Sequence, residues 1–169
     1  PRRFGKSLLV STLKAYFQGR KELFKGLSID SLEKEWAEYP VFHIDFNGTN
    51  FTEGDALSRK IEGYISSWER DYGKSPTGMT SGDRFSYVLK QAHEKYGRRA
   101  VVLIDEYDKP LLQSIGNEAL QEEFRNALKA FYGVLKSADD DLRFTLLTGV
   151  TKFGKVSVFS DLNNLNDIT

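Results

Sequence analysis

The chain has 169 residues, the length of one ordinary domain. Its 24 Lys and Arg balance 24 Asp and Glu, so no net field grips nucleic acid or an anionic membrane, although local patches remain open. The absence of cysteine excludes a disulfide framework, thiolate-bound zinc and thiol catalysis, and the 13% aromatic share argues against disorder.

Apolar periodicity gives the elements in chain order. Leu9, Leu13, Tyr16 and Phe17 recur at helical spacing between Lys6 and Gly19. Asp30 followed by Glu33 has the form of a capping box and predicts a short helix through Trp36. Residues 41–46 read as a strand that ends at the turn signal Asn47-Gly48. Leu57, Ile61, Ile65, Trp68 and Tyr72 form the apolar stripe of a long helix, followed by a loop from Gly73 to Gly82. Thr80 is placed to cap a third helix with Phe85, Val88, Leu89, Ala92 and Tyr96 on one face.

Residues 100–104 are apolar at every position, the pattern of a strand covered on both faces in a parallel sheet. A helix from about Asn117 turns Leu120, Phe124, Leu128, Phe131 and Leu135 inward, and Leu142 to Leu147 reads as a further strand. Helices alternating with apolar strands predict an α/β fold with a parallel sheet. No apolar run approaches the roughly 18 residues of a membrane span. No signal-peptide pattern is visible, so the expectation is a cytoplasmic protein without membrane partners.

Three segments carry chemistry. Gly5-Lys6-Ser7 opens the first helix in the manner of a phosphate-binding loop. There backbone N–H groups and the helix dipole hold phosphate, lysine neutralises it, and the serine hydroxyl meets Mg²⁺. The first glycine of the full pattern would fall before Pro1, and a lysine and serine at an ordinary helix start satisfy the same three letters. Asp105 and Glu106 end the buried strand, at the sheet edge where open α/β folds bind ligands. Asp105 suits Mg²⁺ and Glu106 suits a general base on water, while an acidic strand end that caps the next element is the alternative.

The third segment, Leu146 to Lys152, follows the last strand. Thr148 would face the γ-phosphate or the attacking water if that strand neighbours the Asp105 strand on the phosphate-loop side. Thr151 is the second choice, and Lys152 and Lys155 are charges that a solvated loop also explains. Asp108-Lys109-Pro110 reads as a turn, with a water-orienting Asp108 as the other option, and Asp45 as a strand-end cap at the same edge. Arg2 and Arg3 flank the loop, and His43 and His93 are read as structural.

These residues resemble the AAA-ATPase-like family of bacterial and archaeal proteins. The likeness lies in residues 1–17, in Asp-Glu-Tyr-Asp-Lys-Pro at 105–110, in Leu-Thr-Gly-Val-Thr-Lys-Phe at 147–153 and in Leu-Asn-Asn-Leu-Asn-Asp-Ile at 162–168. It implies a three-layer P-loop NTPase fold, of the ASCE, AAA-like kind, with helices on both faces of a parallel sheet. It implies ATP and Mg²⁺ as ligands, Gly5, Lys6, Ser7 and Leu8 on the nucleotide, Ser7 and Asp105 on the metal, and Glu106 with Thr148 in catalysis. Relatives commonly carry arginine at the position before Pro1, and glycine where this chain has Asp161.

The resemblance further implies a C-terminal effector domain, often nuclease-like, and leaves oligomerisation open; nucleic acid enters only by that analogy. Two functions follow: Mg²⁺-dependent ATP hydrolysis that controls an effector, or a nucleotide-binding regulatory module with little turnover. No Asn-Lys-x-Asp guanine-reading motif and no arginine-rich lid are present, which sets GTPase and small-molecule kinase activity aside. Because the chain starts inside the loop, residues 1–169 are read as a single incomplete domain. It is truncated before the first strand and before the last, with three of five core strands and negligible ATP hydrolysis by itself.

Overall fold

A computed structural model describes residues 5–150. Strands β1 (Val41–Asp45), β2 (Ala100–Asp105) and β3 (Leu142–Leu147) form an all-parallel sheet in that order, with β2 central. β2 is buried along its whole length, as its unbroken apolar run predicts. Its register sets Asp45 beside Asp105 and Leu147 beside Ile104, so all three strands end at one edge.

The chain enters through α1 (Lys6–Phe17), a 3₁₀ turn at Lys21–Phe24 and the short α2 (Ser28–Leu32). Helices α3 (Ala56–Tyr72) and α4 (Ser81–Tyr96) connect β1 to β2, and α5 (Lys109–Gln113) and α6 (Glu118–Ser137) connect β2 to β3. The period of two along the strands divides the cover between two layers. Val10 of α1 packs on Val101 and Leu103, with Leu13, Phe17, Val41 and Leu146 around them. On the opposite face Phe42, Ile44, Val102 and Ile104 join the apolar stripes of α3, α4 and α6 in the main core. An aromatic ladder ties that second layer together. Trp68 stacks on Phe85 at 5.3 Å, Phe85 stacks on Phe131 at 4.7 Å, and Phe42 of β1 meets Trp68 edge-on at 5.0 Å.

The three-layer α/β architecture expected from the sequence is therefore present, with helices on both faces. Among the described residues, no helix is long and apolar enough to cross a membrane. Thr80 caps α4 as expected, accepting from the Asp83 amide while the Asp83 carboxylate accepts from the Thr80 amide.

The helix expected to open at Asp30 is a correction. α2 begins at Ser28 and stops at Leu32, so Asp30 lies inside it and Trp36 outside it, at φ 45°. Both carboxylates of the supposed box are used elsewhere. Asp30 accepts from the Gly26 amide at 3.3 Å. Glu33 accepts from the Tyr16 hydroxyl at 2.5 Å and from the amides of Lys34 and Glu35. The second correction is α5, which begins at Lys109 and takes in Lys109-Pro110, with Pro110 in its first turn, while Asp108 remains in the turn as its N-cap residue.

A charged clamp closes α3 on α4. Arg84 donates from Nε and Nη2 to the Glu69 carboxylate at 2.9 and 2.8 Å, and from Nη1 to Glu62 at 2.6 and 2.8 Å. The Arg84 hydrogen bond holds the Glu69 carboxyl down to about 2, against burial, with Ser75 also donating to it. A depressed carboxyl pKa stabilises the fold above the unfolded value near 4.5, and that stability is lost as pH falls toward about 2. Arg84→Met is therefore expected to cost about 1–2 kcal/mol at neutral pH. Denaturant unfolding should show the gap between wild type and variant shrinking steadily below pH 4.5. A gap independent of pH would show that the Glu69 pair does not supply this stability.

Candidate functional site

The site is built where α1 begins and β2 ends. Gly5 stands at the N-cap of α1 with φ 74°, a left-handed conformation that glycine adopts without strain. Among the described residues no side chain caps the helix, and its first turn holds no acidic residue to offset the positive end of the helix dipole. Ser7 and Leu8 are exposed, and Lys6 is half-buried. The lysine reaches across the sheet edge, with its Nζ 4.0 Å from Oε1 of Glu106.

Asp105, the last residue of β2, is buried. Glu106 follows with φ 57°, a left-handed conformation rare for a residue bearing Cβ. Burial pushes its carboxyl above the ordinary value; Lys6 pulls it back, Asp108 and Asp105 add to the rise, and Lys109 opposes it.

Thr148, just beyond β3, is buried and serves both acidic residues. Its hydroxyl donates to Oδ1 of Asp105 and accepts from the Glu106 amide at 3.3 Å. Its own amide donates to the Ile104 carbonyl at 2.8 Å, and its carbonyl accepts from the Tyr107 amide at 2.9 Å. The hydroxyl thus faces the Asp105 carboxylate and the turn that carries Glu106.

The remaining candidates fall as follows. Asp45 caps its own turn, Oδ1 accepting from the Asn47 amide at 2.7 Å. Asp108 is fully buried and accepts from the Val150 amide at 2.9 Å. Lys109 Nζ donates to Oδ1 of Asn47 at 3.4 Å. His43 lies on the α1-facing side of β1, where burial first and Lys14 second hold its imidazole below the usual value. His93 pairs with Asp141 at 2.7 Å, between α4 and the 3₁₀ turn at Asp139–Asp141. Arg2, Arg3, Thr151, Lys152, Lys155, Asp161 and the 162–168 motif lie outside the described residues.

Sequence reading left out Gly149 and took Asp108 mainly as a turn residue. A Cβ on Gly149 would lie 2.5 Å from one Tyr107 ring carbon and 3.0 Å from Cγ of Asp108. A glycine two residues after a strand is the one signal in the sequence for such a close approach.

Among the described residues, no three acidic or imidazole side chains converge as a metal centre. Of the two buried carboxylates here, Asp108 is bonded to the Val150 amide, which leaves Asp105 as a candidate donor, with the Ser7 hydroxyl on the first turn of α1 as the second. Two hard oxygen donors fit a cation held largely by phosphate and water, as Mg²⁺ is, and do not fit a cage of protein ligands.

Comparison with known proteins bears on this geometry. A family model described as Predicted AAA-ATPase matches residues 1–159. A protein of Azotobacter chroococcum mcd 1, described as uncharacterized and in the vnfD 5' region, is 41% identical over 170 residues. That match covers all of this chain and 33% of the relative, so the chain spans about a third of that relative's length. No solved structure matches.

The ion pair gives a prediction. Lys6→Met removes the cation that opposes the burial of Glu106, so the Glu106 carboxyl is expected to titrate at a higher pH than in wild type. Carboxyl-detected NMR titration reads this directly. An unchanged or lower value would mean that Lys6 does not act on Glu106.

Proposed function

Because the chain belongs to the AAA-ATPase-like family, we propose that the junction of α1 and β2 binds Mg²⁺-ATP and supports its hydrolysis. The observation that carries the reading is the approach of Lys6 to Glu106 at 4.0 Å. It puts a cation and a carboxylate from residues 100 positions apart at one sheet edge, which supports reading them as phosphate neutraliser and water activator.

The roles follow from what each group offers. The first-turn amides after Gly5, with Ser7 and Leu8, receive phosphate oxygens at the positive end of the α1 dipole. Lys6 neutralises the β- and γ-phosphates. Asp105 and Ser7 would hold Mg²⁺, which when bound would offset the charge that develops on the phosphates. Glu106 takes the proton of the water that attacks the γ-phosphorus as the bond to the β-phosphate oxygen breaks. Its raised pKa suits that task, since a base works best when its pKa lies near the working pH. Phosphate also competes with Glu106 for Lys6, so nucleotide binding draws away the cation that weakens the base. Thr148 contributes by aiming Asp105 and holding the Glu106 amide. The greater length of the relative supports a role in which nucleotide state controls a further part of a longer protein.

Glu106→Gln in the full-length protein tests the reading. Turnover is expected to fall by about 10²–10⁴-fold with ATP affinity nearly unchanged. Lys6→Ala is expected to weaken ATP binding by at least about tenfold, the loss of one charge-assisted contact. Wild type that binds ATP but hydrolyses no more than the Gln variant would remove the enzyme and leave the regulatory binding module.

A further inference from the structure

We propose that Asp108 and Gly149 are positioning residues that fasten the exit of β3 to the turn after β2 and so hold Glu106 in its reactive orientation. The proposal rests on the reading of Glu106 as the water-activating base.

Glu106 occupies a left-handed backbone conformation that residues with a Cβ keep only under constraint from their surroundings. The constraints are visible. On one side, the Lys109 amide donates to the Glu106 carbonyl at 3.0 Å as α5 begins. On the other, the segment leaving β3 supplies the Thr148 carbonyl to the Tyr107 amide and the Thr148 hydroxyl to the Glu106 amide. These bonds require residues 148–150 to lie flush against residues 106–108.

Asp108 and Gly149 provide that fit. Gly149 is not in the left-handed region, so its backbone does not call for glycine. The neighbour does, since any Cβ there would run into the Tyr107 ring and the Asp108 carboxyl carbon. Asp108 completes the fastening from beneath: its fully buried carboxylate accepts from the Val150 amide at 2.9 Å, one residue beyond the contact. A buried carboxylate is costly unless hydrogen-bonded, so this bond holds Val150 firmly. The turn bearing Glu106 and the chain leaving β3 therefore form one unit.

The test compares Gly149→Ala, Asp108→Ala and Asp108→Asn with wild type in the full-length protein. Three quantities are read: amide hydrogen exchange at Glu106 and Tyr107, affinity for Mg²⁺-ATP, and turnover. Both alanine variants are expected to speed exchange at the two amides at least about tenfold and to lower turnover at least about tenfold. ATP affinity should change less than about threefold, because Lys6 and the α1 turn are untouched. Asp108→Asn retains an oxygen acceptor for the Val150 amide and is expected to recover most of the protection.

Unchanged exchange at Glu106 and Tyr107 overturns the proposal, as does faster exchange with full turnover, or Asp108→Asn as impaired as Asp108→Ala. If wild type proves to have no turnover, the enzyme reading fails, and exchange alone decides whether the two residues hold the turn. If Gly149→Ala does not fold, the Asp108 pair carries the same comparison.

Discussion

A strand that is apolar at every position has to be covered on both sides, and β2 is such a strand. Its burial forces the chain to place α1 on one face and α3, α4 and α6 on the other. The helical crossovers between strands set β1 and β3 parallel to it, so that all strands deliver their ends to one edge. Glu106, one residue beyond the buried Asp105, is where this run meets water. The polar chemistry of the protein is thus located by its most apolar segment.

That edge carries a balance of opposing effects on one carboxylate. Burial and the neighbouring Asp108 and Asp105 favour a protonated Glu106, while Lys6 and Lys109 favour its charged form. A group held between such influences changes its proton affinity when one of the charges moves. In the proposed reading Lys6 is the charge that moves, because it sits on the first turn of the helix whose N-terminus would receive phosphate. The backbone around Glu106 does not share this freedom. Thr148 ties it to β3 through both its hydroxyl and its carbonyl. The arrangement pairs an electrostatically adjustable side chain with a rigid mount.

Much of this is legible in the residues before any coordinates. The unbroken run at 100–104, the stripes of α3, α4 and α6 and the Thr80 cap depend on local pattern, and the fold follows that pattern. The failures come from competition and from distance. Asp30 and Glu33 have the letters of a capping box, but a carboxylate can serve one set of donors, and Gly26 and Tyr16 are nearer. Asp108-Lys109-Pro110 reads as a turn because a five-residue helix has too few positions to show a period. The hydroxyl of Thr148 meets Asp105 across 43 positions, and only strand pairing makes them neighbours. Nothing in the letters around Glu106 announces its left-handed backbone.

In the proposed reading one phosphate-binding edge is assembled from α1, β2 and the exit of β3. Backbone NMR of the full-length protein titrated with Mg²⁺-ATP tests it most directly. The largest amide shifts are expected on residues 5–9, 105–107 and 148–150, while Arg84 and the α3–α4 clamp on the far side of the sheet stay in place. Saturable binding whose shifts centre elsewhere, or no binding at all, would contradict it.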